Sequence, residues 1–428
     1  MSHSVAFYAS VALFVATYIL IVWDKYSRML VALAGGILMI ALGFISQEVA
    51  VAKAIDFNTL GLLVGMMLII AITSKSGLFQ MLALWAAHVT KGDPKKLLFL
   101  ICIITAVGSA LFDCVTAVLL IAPVTLKLAE KLKVNAYPFL MTEILVSNIG
   151  GTGLLVGNPP NVMIGSATGL TFNDFLIYLG PVCFGITLIV IPMLIFFYRK
   201  ELIPHPEIKA SIANIDYKDA IEDEVLLKKS LYVLGLTIAM FAFHNVLHLE
   251  TATIAMAGAV ILMLIANIQP REVLGIVDWT TIFFFMGLFI VVGGLEQTGV
   301  MHFLAEQVIA LTGGDLMMTV FLVLWLSAIA SAFVDNIPFV ATMIPMLHAM
   351  GQMTGMPMEA VWWALALGAC FGGNGTLIGA TPNLVVANVG TLNGVPFTFM
   401  GYLKVGFPMM LFSVLLSHIY LYILYFAF

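Results

Sequence analysis

The sequence predicts an all-α polytopic membrane protein made of two inverted repeats, each with five transmembrane helices. Three observations carry this. The 428 residues are 62% hydrophobic and only 10% charged, against roughly 25% charged in soluble chains, and the mean hydropathy is +1.10. Apolar runs recur from end to end, each long enough, at about 17 residues or more, to cross a hydrocarbon core of about 30 Å. A constant offset of 222 residues relates polar landmarks in the two halves.

The elements follow in order. Spans are expected at 5–22, 28–45 and 57–74, then an amphipathic stretch at 78–90. Two short apolar arms, 97–111 and 113–131, meet at Ser109-Ala-Leu-Phe-Asp113. A run at 136–168 is interrupted by Gly150-Gly-Thr-Gly-Leu-Leu-Val-Gly-Asn-Pro-Pro-Asn161, and a last span covers 174–198. The second half repeats this at 230–247, 252–268 and 279–295, with arms 317–332 and 335–351, a broken run 360–388, and a span 402–425. Residues 1–198 and 230–428 are thus the first and second repeats, and 199–229 is a polar cytoplasmic linker. The first span lacks a basic leader and a cleavage site and reads as retained.

The repeat is read from residues that membrane composition alone does not match. The offset of 222 relates Asp56 to Asp278, Gly77 to Gly299, Asp93 to Asp315 and Ser109 to Ser331. It also relates Asp113 to Asp335, Pro123 to Pro345, Gly150-Gly151 to Gly372-Gly373, and Pro160-Asn161 to Pro382-Asn383. Recurrent apolar composition would match Leu with Ile, not Asp, Pro and Asn with themselves. Length does not decide whether each pair of arms crosses twice or dips in and returns, since both bring the chain back to the same side. Five crossings per half invert the second repeat. With the N-terminus outside, 17 of the 18 Lys and Arg residues fall on the cytoplasmic side and only Lys53 falls outside. This predicts a multi-pass protein of a bacterial inner membrane with both termini periplasmic.

The interruptions mark the candidate site. Backbone in lipid must satisfy its own hydrogen bonds, so a Gly-Asn-Pro run in mid-span belongs against protein or a water-filled cavity. Breaks at matching places in two halves point to a solute site. The first carries Ser147, Asn148, Thr152, Asn158 and Asn161; the second carries Asn374, Thr376, Thr381 and Asn383. Gly150, Gly151, Gly372 and Gly373 would let a solute approach the backbone. The competing reading is that these glycines pack helices and the Asn amides plug the broken ladders.

Asp113 and Asp335 stand where the arms meet, with Ser109 and Ser331 four residues earlier and Asn336 beside the second. Ionisable residues at membrane depth are costly and mark function, although each Asp also suits a helix cap. Glu143, whose partner position is Leu365, is a lone carboxylate suited to carrying a proton. Asp113, Asp335 and Glu143 are therefore the candidate proton-coupling groups. Cys114 and Cys370 read as apolar fillers, the competing reading being a thiol pair for a soft metalloid, and His244, His302 and His348 as structural or interfacial. No phosphate loop, nucleophile elbow or metal motif appears, so neither an enzyme nor a cofactor is expected.

The segments Ser147–Asn161, Ser331–Pro338 and Gly372–Asn383 resemble the ion transporter superfamily, which holds arsenite permeases, one class of sodium/proton antiporters, the P-protein group and di- and tricarboxylate carriers. The resemblance spans almost the whole chain. It implies two re-entrant hairpins, two broken helices and an elevator-type motion. Residues 92–198 and 314–428 would form the transport domain, and 1–91 and 230–313 a scaffold, dimeric in many members. Dicarboxylate carriers use Ser-Asn-Thr tips, which this chain lacks, and no Arg or Lys is expected near the site to offset the two Asp. The antiporter pattern of Asp-Asn tips fits Asp335-Asn336 but not Asp113-Cys114, and Asn158 replaces a second acid. Arsenite, a neutral trihydroxide, needs hydrogen-bonding partners and no counter-charge. The resemblance thus implies proton-coupled efflux of arsenite or antimonite first, sodium/proton antiport second and an organic-anion carrier third. Expected partners are a small inorganic solute with protons or Na+, membrane lipid and a second copy, and no nucleic acid; an arsenite permease would also engage an ATPase subunit. Reporter tags at Ser2 and after Phe428 should both be reached from the periplasmic face, and a cytoplasmic signal from either would overturn the span count.

Overall fold

The computed structural model describes residues 3–23, 25–203 and 217–427. Ser2, Phe428 and residues 204–216 of the expected linker lie outside them. Among the described residues each half carries nine helices of ten or more residues, and there is no strand. The first half holds α1 His3–Trp23, α2 Arg28–Ala41, α3 Phe57–Ser74, α4 Leu78–Val89, α5 Pro94–Leu111, α6 Cys114–Leu132, α7 Tyr137–Thr152, α8 Pro159–Thr168 and α9 Gly180–Phe197. The second holds α10 Glu224–Leu247, α11 Thr251–Ala266, α12 Trp279–Gln297, α13 Val300–Thr312, α14 Leu316–Phe333, α15 Asn336–Thr354, α16 Glu359–Gly372, α17 Thr381–Leu392 and α18 Phe399–Tyr425. Among the described residues eight helices are long and apolar enough to cross a membrane: α1, α3, α5, α10, α12, α14, α18 and the stretch Phe172–Phe197 that ends in α9.

Two expected boundaries are corrected. Helix α2 stops at Ala41, short of 45, because the chain turns through Gly43 in a left-handed conformation. The span expected at 230–247 belongs to a helix that begins earlier, at Glu224. Asp223 caps α10 by accepting from the Leu226 N–H, and Lys228 pairs with Glu224 one turn back along the helix at 2.8 Å.

The matched Asp residues have a local cause. Asp56, Asp93 and Asp113 each cap the helix they precede, and Asp278, Asp315 and Asp335 do the same 222 residues later. Such a cap satisfies an orphan N–H and stabilises the helix by about 1 kcal/mol. Gly77 and Gly299 precede α4 and α13 with φ of 82° and 83°, a conformation that a side chain would strain.

Packing repeats as well. In each half the second helix lies against the third helix of the other half, α2 on α12 and α11 on α3. The first hairpin arm packs on the helix before the break, α5 on α7 and α14 on α16, and the returning arm packs on the helix after the opposite break, α6 on α17 and α15 on α8. Dense packing therefore falls within two groups, α1–α3 with α10–α12, and α5–α9 with α14–α18. Helices α4 and α13 run between them. Helix α7 is buried from Pro138 to Thr152 and α16 from Ala360 to Gly372, the all-round burial of helices at the centre of a bundle.

The α2–α12 and α11–α3 crossings are close because Gly287 and Gly65 lie at them. A Cβ on Gly287 would sit 2.5 Å from the Ala32 backbone, and one on Gly65 would sit 2.6 Å from that of Ala255. Gly287→Ala should therefore lower the melting temperature in detergent, at a cost of about 1–3 kcal/mol. Gly235→Ala in α10, where a Cβ meets nothing within 4 Å, should stabilise by up to about 1 kcal/mol. Equal melting temperatures for the two variants would contradict the close crossing.

Candidate functional site

Helix α7 ends at Thr152 and α8 begins at Pro159, where a proline is tolerated because the first helical N–H has no partner. Helix α16 ends at Gly372 and α17 begins at Thr381. The carbonyls freed between them are met by asparagine amides. Asn161 Nδ2 donates to the carbonyls of Thr152 and Leu154, both at 2.9 Å. In the matching place, Asn383 Nδ2 donates to those of Gly373 at 2.7 Å and Thr376 at 2.9 Å.

The two breaks are joined. Asn148 Nδ2 donates to Asn374 Oδ1 at 2.8 Å and to Asn383 Oδ1 at 3.0 Å, and Asn374 Nδ2 donates to the Leu145 carbonyl at 3.1 Å. Cys370, which matches Asn148, aims its thiol at Asn161 Oδ1 at 3.8 Å. All of these side chains are buried.

The four glycines of the breaks lie against neighbouring backbone. A Cβ on Gly150 would meet Ala106, one on Gly151 would meet Gly157, and one on Gly372 would meet Ala328, each backbone atom within 2.6 Å. A Cβ on Gly373 would lie 2.9 Å from Ala380. These glycines let the hairpins and the breaks touch. Ser331 donates to the Ala369 carbonyl at 2.6 Å, Thr152 to that of Asn148 at 2.6 Å, and Thr376 to that of Ala332. The Ser109 hydroxyl and the Asn158 amide nitrogen are buried without a hydrogen-bond partner among the described residues, and Asn336 is buried in the first turn of α15.

The open space lies beside the hairpin tips. A cavity of about 320 Å³ is bounded by Asp113 and Thr116 of α6, by Val156, Pro159 and Val162 at the first break, by Ile337 and by Thr381. Its far wall is the C-terminal half of α3, from Leu62 to Ser74, with Ile276, Asp278 and Thr281 at the start of α12. Those wall ends adjoin Lys75 and Glu272, which lie 3.6 Å apart. Asp113 accepts from the N–H groups of Val115 and Thr116 and from the Thr116 hydroxyl, and Asp278 accepts from the Thr281 N–H and hydroxyl. Each is thus both a cap and a wall of the cavity.

Asp335 differs from its counterpart. It accepts from the Ile337 N–H at 3.1 Å and from the Thr381 hydroxyl at 3.2 Å, and Arg28 Nη1 lies 3.1 Å from its Oδ2. The expectation that no Arg or Lys stands near the site is therefore overturned: the chain bends so that residue 28 meets residue 335. Glu143 lies off the cavity, buried in α7, where Thr125 of α6 donates to one oxygen at 2.5 Å and the other has no partner among the described residues. Arg28, Asp278, Thr116 and Thr281 are site neighbours that sequence reasoning missed. For Thr116 and Thr281 the signal was present, as each follows a capping Asp by three residues.

A family model described as citrate transporter matches residues 18–368. The chain belongs to the citrate transporter family. Membership confirms the ion transporter superfamily that its motifs resemble, and the chain is a membrane transporter of this kind. It is 40% identical to a 46 kDa membrane protein of Mycobacterium leprae over 97% of this chain and 98% of that one. It is 32% identical to the human P protein, over 96% of this chain and 59% of the longer protein. The crystal structure of the Alcanivorax borkumensis YdaH transporter, 14% identical, covers 95% of this chain and 98% of its own with a TM-score of 0.62, so the fold is shared.

If the asparagine bonds hold the breaks together, Asn383→Ala should cost about 1–3 kcal/mol for each carbonyl left bare, read as a lower melting temperature. Asn393→Ala, at an exposed site, should stay within about 0.5 kcal/mol of the parent. Equal melting for both variants would remove that role from Asn383.

Proposed function

We propose that this chain is a proton-coupled secondary transporter that exports a small neutral solute, arsenite or antimonite in the leading reading. The observation that carries it is the make-up of the cavity wall. Two carboxylates, Asp113 and Asp278, and the hydroxyls of Ser74, Thr116, Thr281 and Thr381 stand among Leu, Ile, Val and Met, and no Lys or Arg of the described residues lines the space. A free citrate, the solute in the family's description, would meet two acids and no counter-charge there. A neutral trihydroxide finds hydrogen-bond acceptors and donors. A second reading, sodium/proton exchange, is favoured by the convergence of carboxylate and hydroxyl oxygens at Asp113 and Asp278, ligands that suit a hard cation.

In this reading the group α5–α9 with α14–α18 is the transport domain, and α1–α3 with α10–α12 is the scaffold against which a second copy would dock. The scaffold's second half begins at α10, near residue 224. The repeats are inverted, both termini face outward, and the cavity at the Lys75 end of α3 opens inward. Elevator motion has support in the two densely packed groups and in the α4 and α13 struts between them. A proton bound at Asp113 changes which state is favoured, and a solute that binds the two states unequally is moved with it. Asp335 serves in the opposite state, and Glu143 stands behind the site.

Everted vesicles carrying this chain should accumulate arsenite only under a proton gradient, and Asp113→Asn should reduce that flux by about tenfold or more without loss of insertion. Proton-driven sodium movement with no arsenite uptake would select the second reading. Full arsenite flux in Asp113→Asn would leave Asp113 a cap alone.

A further inference from the structure

We propose that Arg28 is a built-in counter-cation for Asp335 and clasps the tip of the second hairpin to the scaffold in the inward-facing state. This rests on the alternating-access reading above and adds to it a residue that sets which state is populated.

The contact crosses between the two packed groups. Arg28 is the first residue of α2, and its guanidinium lies 3.1 Å from Oδ2 of Asp335, the cap of α15. A second bond sits one turn further along. Tyr18 of α1 donates its hydroxyl to the Pro338 carbonyl at 2.6 Å and lies 2.7 Å from the Thr342 hydroxyl. Two scaffold helices thus hold the first two turns of the returning arm. Thr381, which donates to Asp335, also lines the cavity, so the clasped carboxylate is one side chain away from the solute space.

The repeat lacks a second clasp. Arg28 is the first residue of α2 and Thr251 the first of α11, and the carbonyls of the preceding caps, Ser27 and Glu250, accept from the N–H groups of Val31 and Ile254 in the same register. A neutral threonine therefore takes the place of the arginine, and the cap beside it, Glu250, is an exposed carboxylate. Asp113, the counterpart of Asp335, faces the cavity. Exchange of the two repeat conformations would carry Asp335 away from Arg28 and bring Asp113 towards the start of α11, where it meets a like charge. The scaffold thus offers a cation to one tip and an anion to the other. Asp335 is charge-compensated by the protein only while the cavity faces inward, and on leaving α2 it must take a cation from solution.

The test reads conformation and needs no solute. Leu120 lines the cavity on α6, and the four native cysteines are buried, so Leu120→Cys reports inward access to an impermeant maleimide in everted vesicles. Arg28→Gln should slow its labelling by about fivefold as the population shifts outward. Arg28→Lys should restore at least about half of the rate, and Asp335→Asn added to Arg28→Gln should produce no further change. Glu250→Arg, at an exposed cap position whose side chain makes no capping bond, should slow labelling by offering Asp113 a clasp of its own. Unchanged labelling in both Arg28→Gln and Glu250→Arg overturns the proposal, as does an additive effect of Asp335→Asn. If Arg28→Gln fails to insert, Glu250→Arg decides alone. An absence of arsenite flux leaves these rates untouched, so the clasp and the solute reading fail separately.

Discussion

Everything in this fold depends on the fact that a helix interrupted inside a membrane must find partners for its bare carbonyls within the protein. Two interruptions in contact solve this for each other. Asn161 and Asn383 fold back on their own breaks, and Asn148 and Asn374 reach across to the opposite half. An unsatisfied buried carbonyl costs about 1–3 kcal/mol even in a soluble protein, and acyl chains offer no replacement partner. The central helices α7 and α16 are therefore sealed by protein on every side. The hairpins α5–α6 and α14–α15 supply the walls, which explains why glycines stand where hairpin and break touch.

This constraint divides what was legible in the sequence from what was not. The halves, the hairpins and the breaks could be read because each is a local pattern that recurs after 222 residues, and recurrence of Asp, Pro and Asn has no compositional cause. The roles of the glycines and asparagines were harder. Gly150 beside a polar break suits a solute and a packed helix equally well, and only the position of Ala106 decides between them. The Arg28 contact was out of reach for another reason. It joins residues 307 apart in the chain, and as a lone basic residue after a span Arg28 reads as a topology signal. Nothing local distinguishes a cation that faces water from one that turns inward.

The capping question shows a similar limit. Two roles were in competition for Asp113 and Asp335, and the geometry grants the cap to both. It then separates them by what else the carboxylate faces. Asp113 closes a cavity wall with Thr116, while Asp335 lies behind Thr381 under a guanidinium. Asp278, read only as the opening of a span, shares the cavity with Asp113 because the start of α12 lies beside the tip of the first hairpin.

Symmetry of backbone and asymmetry of charge then belong together. A twofold scaffold with identical side chains would make its two facing states equal in energy. The departures from the repeat fall where they break that equality: Arg28 against Thr251, Asn148 against Cys370, Glu143 against Leu365. The close crossings at Gly65 and Gly287 are kept in both halves. Each changes the charge or hydrogen bonding available to one tip or one break but not the other. An equilibrium between two states moves only through interactions that differ between them, and these positions are where this chain has such differences. In the proposed transport cycle, backbone repetition makes the exchange of states geometrically available, and the unmatched polar residues give it a direction.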